Sequence, residues 1–219
     1  MRVEFQERLH SLEAGVQEQG EICLRAVRGA INALVTQDVE LCDEVIAFDD
    51  EIDARYHRLE KMVEETLALE TPVASDLRLV LAILHDSIHL ERIGDQSVTI
   101  AKLTKLSAGL EQGADLVEGL QEMGDRVEEM LKIALDSFAQ RDLERARSLV
   151  ELDELVDRTN HKVVDKVLAM TSPDSQEWGM RMVVVARCIE RIGDNAVDIG
   201  EQTAFLITGE FHQFADASH

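Results

Sequence analysis

Eight carboxylates recur in this sequence at a spacing that could hold cations. Asp49 and Asp53 stand four residues apart, as do Asp153 and Asp157, Glu91 and Asp95, and Glu190 and Asp194. On a helix, residues four apart share a face, one turn above the other. Two such helices side by side would bring four carboxylates together, and neighbouring carboxylates raise one another's pKa unless something compensates them. A hard cation does so: oxygen-only sites suit Mg, Ca, Mn or Fe, and Zn is tolerated. Acid pairs on facing helices are a common way for helical bundles to build metal clusters.

The competing reading is a solvated, salt-bridged surface. With 44 acidic residues, acid pairs at helical spacing arise by chance, so no single pair carries weight. Repetition does. The stretch Glu-Arg-Ile-Gly-Asp occurs twice, at 91–95 and 190–194. Asp49 and Asp53 lie 104 residues before Asp153 and Asp157, while Glu91 and Asp95 lie 99 before Glu190 and Asp194. At about 100° per residue, Glu91 and Asp95 share a stripe with Leu84, Ile88 and Val98. Glu190 and Asp194 share one with Val183 and Val197. Solvated acids would more often oppose the apolar side.

Several neighbours extend the pattern. Gly94 and Gly193 each cost about 1 kcal/mol in a helix relative to alanine, which points to close approach of another backbone or a ligand, or to a tight helix crossing that needs only a small residue. His57 and His161 lie four residues beyond Asp53 and Asp157. Each is either a ligand at the edge of a metal site or a surface histidine paired one turn away. Asp198 and Glu201 prolong the second acid stripe, where the first has Thr99 and Lys102. That lysine should weaken or shrink the first site. The remaining histidines (His10, His85, His89, His212, His219) have no repeat partner and receive no role. Glu7 and His10 match the E-x-x-H spacing of di-iron bundles once only, and such enzymes need it from two helices.

The elements that must position these residues read as helices throughout. They are expected at about Val3–Val35, Val39–Leu69, Val73–Leu106, Asp115–Ala139, Leu143–Met170 and Ser175–Ile207. Asp38 and Asp142, 104 apart, are N-cap candidates. Thr71-Pro72 breaks the chain, with the proline placed as in a first helical turn, and Thr171-Ser172-Pro173-Asp174 breaks it again. Ser107-Ala108-Gly109, with Gly113 after it, divides the halves. A repeat this long means duplicated domains, and long helices with short connections pack antiparallel. The expectation is all-α: a tandem pair of antiparallel three-helix bundles, residues 1–107 and 108–209, with a short frayed tail at 210–219.

Composition agrees. Apolar residues make up 45% of the 219, enough for a core, while aromatics are 4% and prolines two. The net charge of −22 repels a phosphate backbone, which argues against nucleic acid and for cations or basic protein surfaces. No apolar run is long enough to span a membrane, and no signal peptide is legible. Cys23, Cys42 and Cys188 are widely spaced and read as free, buried thiols in a reducing cytoplasm.

At the paired Leu/Ile-Glu-Arg-Ile-Gly-Asp segments the chain resembles the PhoU family, across essentially its whole length. The family's metal motif, Glu-or-Asp, three residues, Asp, falls here on Asp49, Asp53, Glu91 and Asp95 and on Asp153, Asp157, Glu190 and Asp194. The family's segment usually runs on to Asn-Ile-Ala-Glu. The second copy keeps part of that in Asp198-Ile199-Gly200-Glu201, and the first departs further, with Thr99-Ile100-Ala101-Lys102. The resemblance implies a non-enzymatic, cytoplasmic regulator that restrains a phosphate ABC transporter and a sensor histidine kinase. It would reach the membrane only through the transporter ATPase and that kinase, and would carry iron, manganese, zinc or magnesium. A homodimer is expected. The alternatives are a carboxylate-bridged metal enzyme, which would need a second E-x-x-H, and a structural bundle in which metal is incidental.

Overall fold

The computed structural model describes residues 2–211, 213 and 214. Seven helices account for nearly all of them: α1 (Arg2–Thr36), α2 (Val39–Glu70), α3 (Ala74–Leu106), α4 (Ala114–Gln140), α5 (Leu143–Arg147), α6 (Leu149–Leu168) and α7 (Pro173–Thr208). The fifth expected helix is thus divided at Ser148, which keeps right-handed dihedrals (φ −65°, ψ −14°) while its N–H bonds to the carbonyls of Glu144 and Ala146. It is a one-residue tightening, so the plan of three helical rods per half is kept.

The caps explain the boundaries. The Asp38 side chain accepts from the Leu41 N–H, and Asp142 accepts from the Arg145 N–H in the matching turn. Each satisfies a backbone donor that the first turn leaves open. Ser172 caps α7 through the Ser175 N–H, with Pro173 in the first turn, where its missing N–H costs nothing. The other proline differs from expectation. Pro72 lies outside α3, whose N-cap is Val73, so it stops the chain without starting the helix.

Within each half neighbouring rods run antiparallel. Gly94 of α3 meets Ile52 of α2, and Gly193 and Gly179 of α7 meet Asp153 and Val167 of α6. The halves then pack on each other through α1 against α4 and α3 against α7. Arg28 of α1 reaches Glu128 of α4 at 2.6 Å, and Gln17 donates to the Leu135 carbonyl at 3.3 Å. One continuous apolar core links both bundles, with Leu12, Leu34, Ile52, Ile93, Leu120, Phe138 and Trp178 fully enclosed. All three cysteines are free and buried.

The described part of the tail is held against α7. Gly209 (φ +79°) ends α7 in the left-handed conformation that glycine favours. Phe211 then packs edge-on to Phe205, and the Phe214 N–H donates to Glu201 at 2.7 Å. Residues 212 and 215–219, including His212 and His219, lie outside the described residues. No helix is long and apolar enough to cross a membrane among the described residues.

Candidate functional site

The α2–α3 pairing brings Asp49, Asp53, Glu91 and Asp95 together, and the α6–α7 pairing sets Asp153 against Gly193, between Glu190 and Asp194 along α7. In the first bundle Asp49 and Asp53 face Glu91 and Asp95, close enough for their charges to act on one another. Glu91 is pushed above the usual carboxylate range by burial and then by Asp95, Asp53 and Asp49, against the pull of Arg92. Asp95 is raised by burial, Asp49 and Asp53, with Lys102 opposing. Lys102 therefore does stand beside the first cluster, as its position in the repeat suggests.

The second cluster is packed differently. Asp153 and Glu190 are buried, each 9% exposed, whereas Glu91 and Asp49 are half-buried. A Cβ on Gly193 would stand 2.9 Å from Asp153 Oδ1, so the glycine is what lets that carboxylate lie against the α7 backbone. The matching Gly94 faces Ile52 Cδ1 at 2.7 Å and makes room for a hydrocarbon. The paired glycines thus serve different contacts: a tight helix crossing at Gly94, and at Gly193 the approach of a carboxylate side chain from α6. Arg187, one turn before Glu190, forms an ion pair with it. A basic side chain attends each cluster, Lys102 in the first and Arg187 in the second.

Every donor in the two groups is a carboxylate oxygen, and mutual repulsion in the first raises Glu91 and Asp95. Both features fit a hard cation, which would relieve that repulsion. Among the described residues no three His, Cys, Asp or Glu side chains converge closely enough to hold an ion in this conformation. In the first group the four acids lie close enough to act on one another's charge, a looser approach than ligation needs.

The flanking residues sort themselves. His57 is largely exposed and meets Glu60 at 3.5 Å, while His161 Nδ1 donates to the Asp157 carbonyl at 2.8 Å. Both are surface histidines paired within their own helix. The prolonged acid stripe of α7 is otherwise engaged: Asp198 meets His89 Nδ1 at 3.3 Å, and Glu201 accepts the Phe214 N–H.

Two residues escaped sequence reasoning. Tyr56 lies three residues past Asp53, donates to Glu60 at 3.3 Å and feels the charge of Glu91. Its position on the acid stripe was the available signal. His89 crosses from α3 to α7, bonding Asn195 Oδ1 at 3.0 Å as well as Asp198. Its repeat counterpart is Cys188, so a search for matched residues passes over it.

With this geometry in view, comparison with known proteins places the chain. The PhoU domain family model matches residues 16–104 and again 120–203. The chain belongs to the PhoU family. The phosphate-specific transport system accessory protein PhoU homolog of Clostridium acetobutylicum is 31% identical over 209 residues, spanning 94% of this chain and 95% of that protein. The crystal structure of PhoU from Pseudomonas aeruginosa superposes with a TM-score of 0.90 at 29% identity, covering 94% of this chain and 100% of that one. The phosphate transport system regulatory protein PhoU from Streptococcus pneumoniae gives 0.87 at 30% identity, covering 95% and 99%. The two matches of the PhoU domain model coincide with the two bundles, and each contains one carboxylate group.

Proposed function

We propose that the chain is an accessory, regulatory protein of a phosphate-specific transport system and works by binding other proteins without catalysing a reaction. The observation that carries this reading is the end-to-end likeness to relatives named for that role, which extends through both carboxylate groups. In this reading the chain restrains the phosphate transporter through its ATPase and signals through a sensor histidine kinase. It acts in the cytoplasm, as a homodimer, and needs no membrane segment of its own.

The carboxylate groups fit this role as cation sites. Asp49, Asp53, Glu91 and Asp95 would hold one metal group, and Asp153, Asp157, Glu190 and Asp194 the other. Iron, manganese, zinc and magnesium all accept such oxygen donors. Bound cations would neutralise acid-rich faces and stiffen the α2–α3 and α6–α7 pairs.

The test is a pull-down of the transporter ATPase and the sensor kinase from the same cell, with and without divalent metal. Binding to at least one of them is expected, and failure to bind either with metal present overturns the reading. Metal analysis of the purified protein, with each group of four changed to alanine in turn, tests the cation sites separately.

A further inference from the structure

Asp86 is an acid that belongs to neither carboxylate group. It stands on α3, 1% exposed, and neither of its oxygens has a hydrogen-bond partner. Its neighbours show where it points. Ser87 donates to Gln19 of α1 at 2.8 Å, and His89 bonds Asn195 of α7 at 3.0 Å. At about 100° per residue, Asp86 falls between these two directions on α3. It therefore faces the seam along which the first bundle packs on the second.

Arg141 stands at that seam, in the left-handed turn after α4 (φ +57°). Its guanidinium is committed elsewhere. It donates to Glu13 of α1 and to the Phe138 carbonyl, and lies 4.7 Å from the centre of the Phe138 ring. The bond to Glu13 ties the end of α4 to α1, and so one bundle to the other. The Arg141 charge nevertheless reaches Asp86, where it opposes the upward push of burial. Other ionisable groups near this level are engaged or turned to water. On α7, Glu201 accepts the Phe214 N–H and Asp198 meets His89. Asp136 of α4 pairs with Arg145 of α5 at 2.7 Å, and Glu60 of α2 accepts from Tyr56. His85, beside Asp86 on α3, is exposed.

Two features let Arg141 change partners. The Glu13 and Arg141 side chains are each 33% exposed, and an ion pair in contact with water holds loosely. Asp86 is enclosed, so its ionised form needs a counter-ion while its protonated form needs none. We propose that Asp86, Arg141 and Glu13 form a proton-operated latch between the two bundles: with Asp86 protonated Arg141 clamps Glu13, and with Asp86 ionised Arg141 turns inward to pair with it and releases Glu13. The latch requires no bound cation and is independent of the transport reading.

The test follows the nitrogen NMR signals of the Arg141 side chain, assigned with Arg141→Lys, from about pH 5 upward to about pH 9, beyond the ordinary aspartate range. The full chain is compared with Asp86→Asn, which stands in for the protonated carboxyl, and with Glu13→Gln. In the unaltered chain the Arg141 signals should move in one step centred above the ordinary aspartate value. In Asp86→Asn they should keep their low-pH position throughout. In Glu13→Gln the step should remain and move to lower pH, by about one pH unit or less, because Arg141 no longer leaves a second partner. Circular dichroism checks that helix content is kept, and Glu13, being partly exposed, provides a reading even where Asp86→Asn fails to fold. Arg141 signals that stay fixed in the unaltered chain, the same step in Asp86→Asn, or a step that Glu13→Gln leaves in place would each overturn the proposal.

Discussion

In the first bundle Ile52 fills the space beside Gly94. In the second, Val156 stands at the position matching Ile52, and it is the Asp153 carboxylate that reaches the glycine at Gly193. The same duplicated glycine thus serves a hydrocarbon contact in one half and a polar one in the other. The acids follow suit. The first group is more exposed and self-repelling, with Lys102 nearby, whereas the second is partly enclosed and already paired through Arg187 and Glu190. A sequence motif kept in duplicate fixes the backbone geometry, and what occupies it depends on the size of one neighbouring side chain.

The largest test of that contrast is to remove the hydrocarbon. Ile52→Ala should destabilise the protein by about 2–4 kcal/mol in urea unfolding, through lost burial and a residual cavity. Val156→Ala should cost less, because Val156 has fewer atoms to lose. Equal losses would mean that the two crossings are packed alike.

Asp86 offers the next contrast. It is 1% exposed, and neither carboxylate oxygen is hydrogen-bonded by a protein group. Burial raises it well above the usual carboxylate range, although the charge of Arg141 opposes the shift. Its repeat counterpart is Val185. The folded state then holds the proton more tightly than the unfolded chain does. This group's contribution to stability is therefore greatest at low pH and falls as pH rises from the ordinary aspartate value through the raised one. Asp86→Val should raise stability at pH 7 by about 1–3 kcal/mol and remove that part of the pH dependence, read from unfolding midpoints at pH 5 and pH 8.

A third test sharpens the difference between the clusters. Gly193→Ala should displace the Asp153 carboxylate and weaken manganese binding by the second group about tenfold, roughly 1.4 kcal/mol. Gly94→Ala should press on Ile52 and leave binding by the first group nearly unchanged. Isothermal titration with the other group changed to alanine separates them.

The smallest effect concerns the first cluster's self-repulsion. Because burial and its acidic neighbours raise Glu91, Glu91→Gln should lift the thermal midpoint at pH 7 slightly. The gain should shrink as pH falls through the raised value, where the wild-type side chain also becomes neutral. A midpoint lowered at pH 7 would show that Glu91 has a stabilising partner that outweighs its acidic neighbours.

Much of this was legible in the sequence because helical periodicity and duplication are one-dimensional signals. The caps at Asp38 and Asp142 and the meeting of Asp49 and Asp53 with Glu91 and Asp95 follow from spacing alone. What spacing missed has a common cause. His89 has no matched partner, and its bond to Asn195 and Asp198 forms only once α3 lies on α7. Asp198 and Glu201 sit on the acid stripe by sequence, yet His89 and the folded-back tail engage them first. The Ser148 break alters one residue's hydrogen bonds without disturbing apolar periodicity, and so leaves no trace in the pattern.

The sequence by itself determined the helices, the twofold repeat and which backbones carry the acids, because each depends on contacts within a few turns. Tertiary structure decided how the halves share a core, which glycine receives a carboxylate, and which apolar side chains of α6 and α7, Leu168 and Met180 among them, stay exposed. Those outcomes depend on side chains from different helices competing for the same space, and no spacing along one chain records who wins.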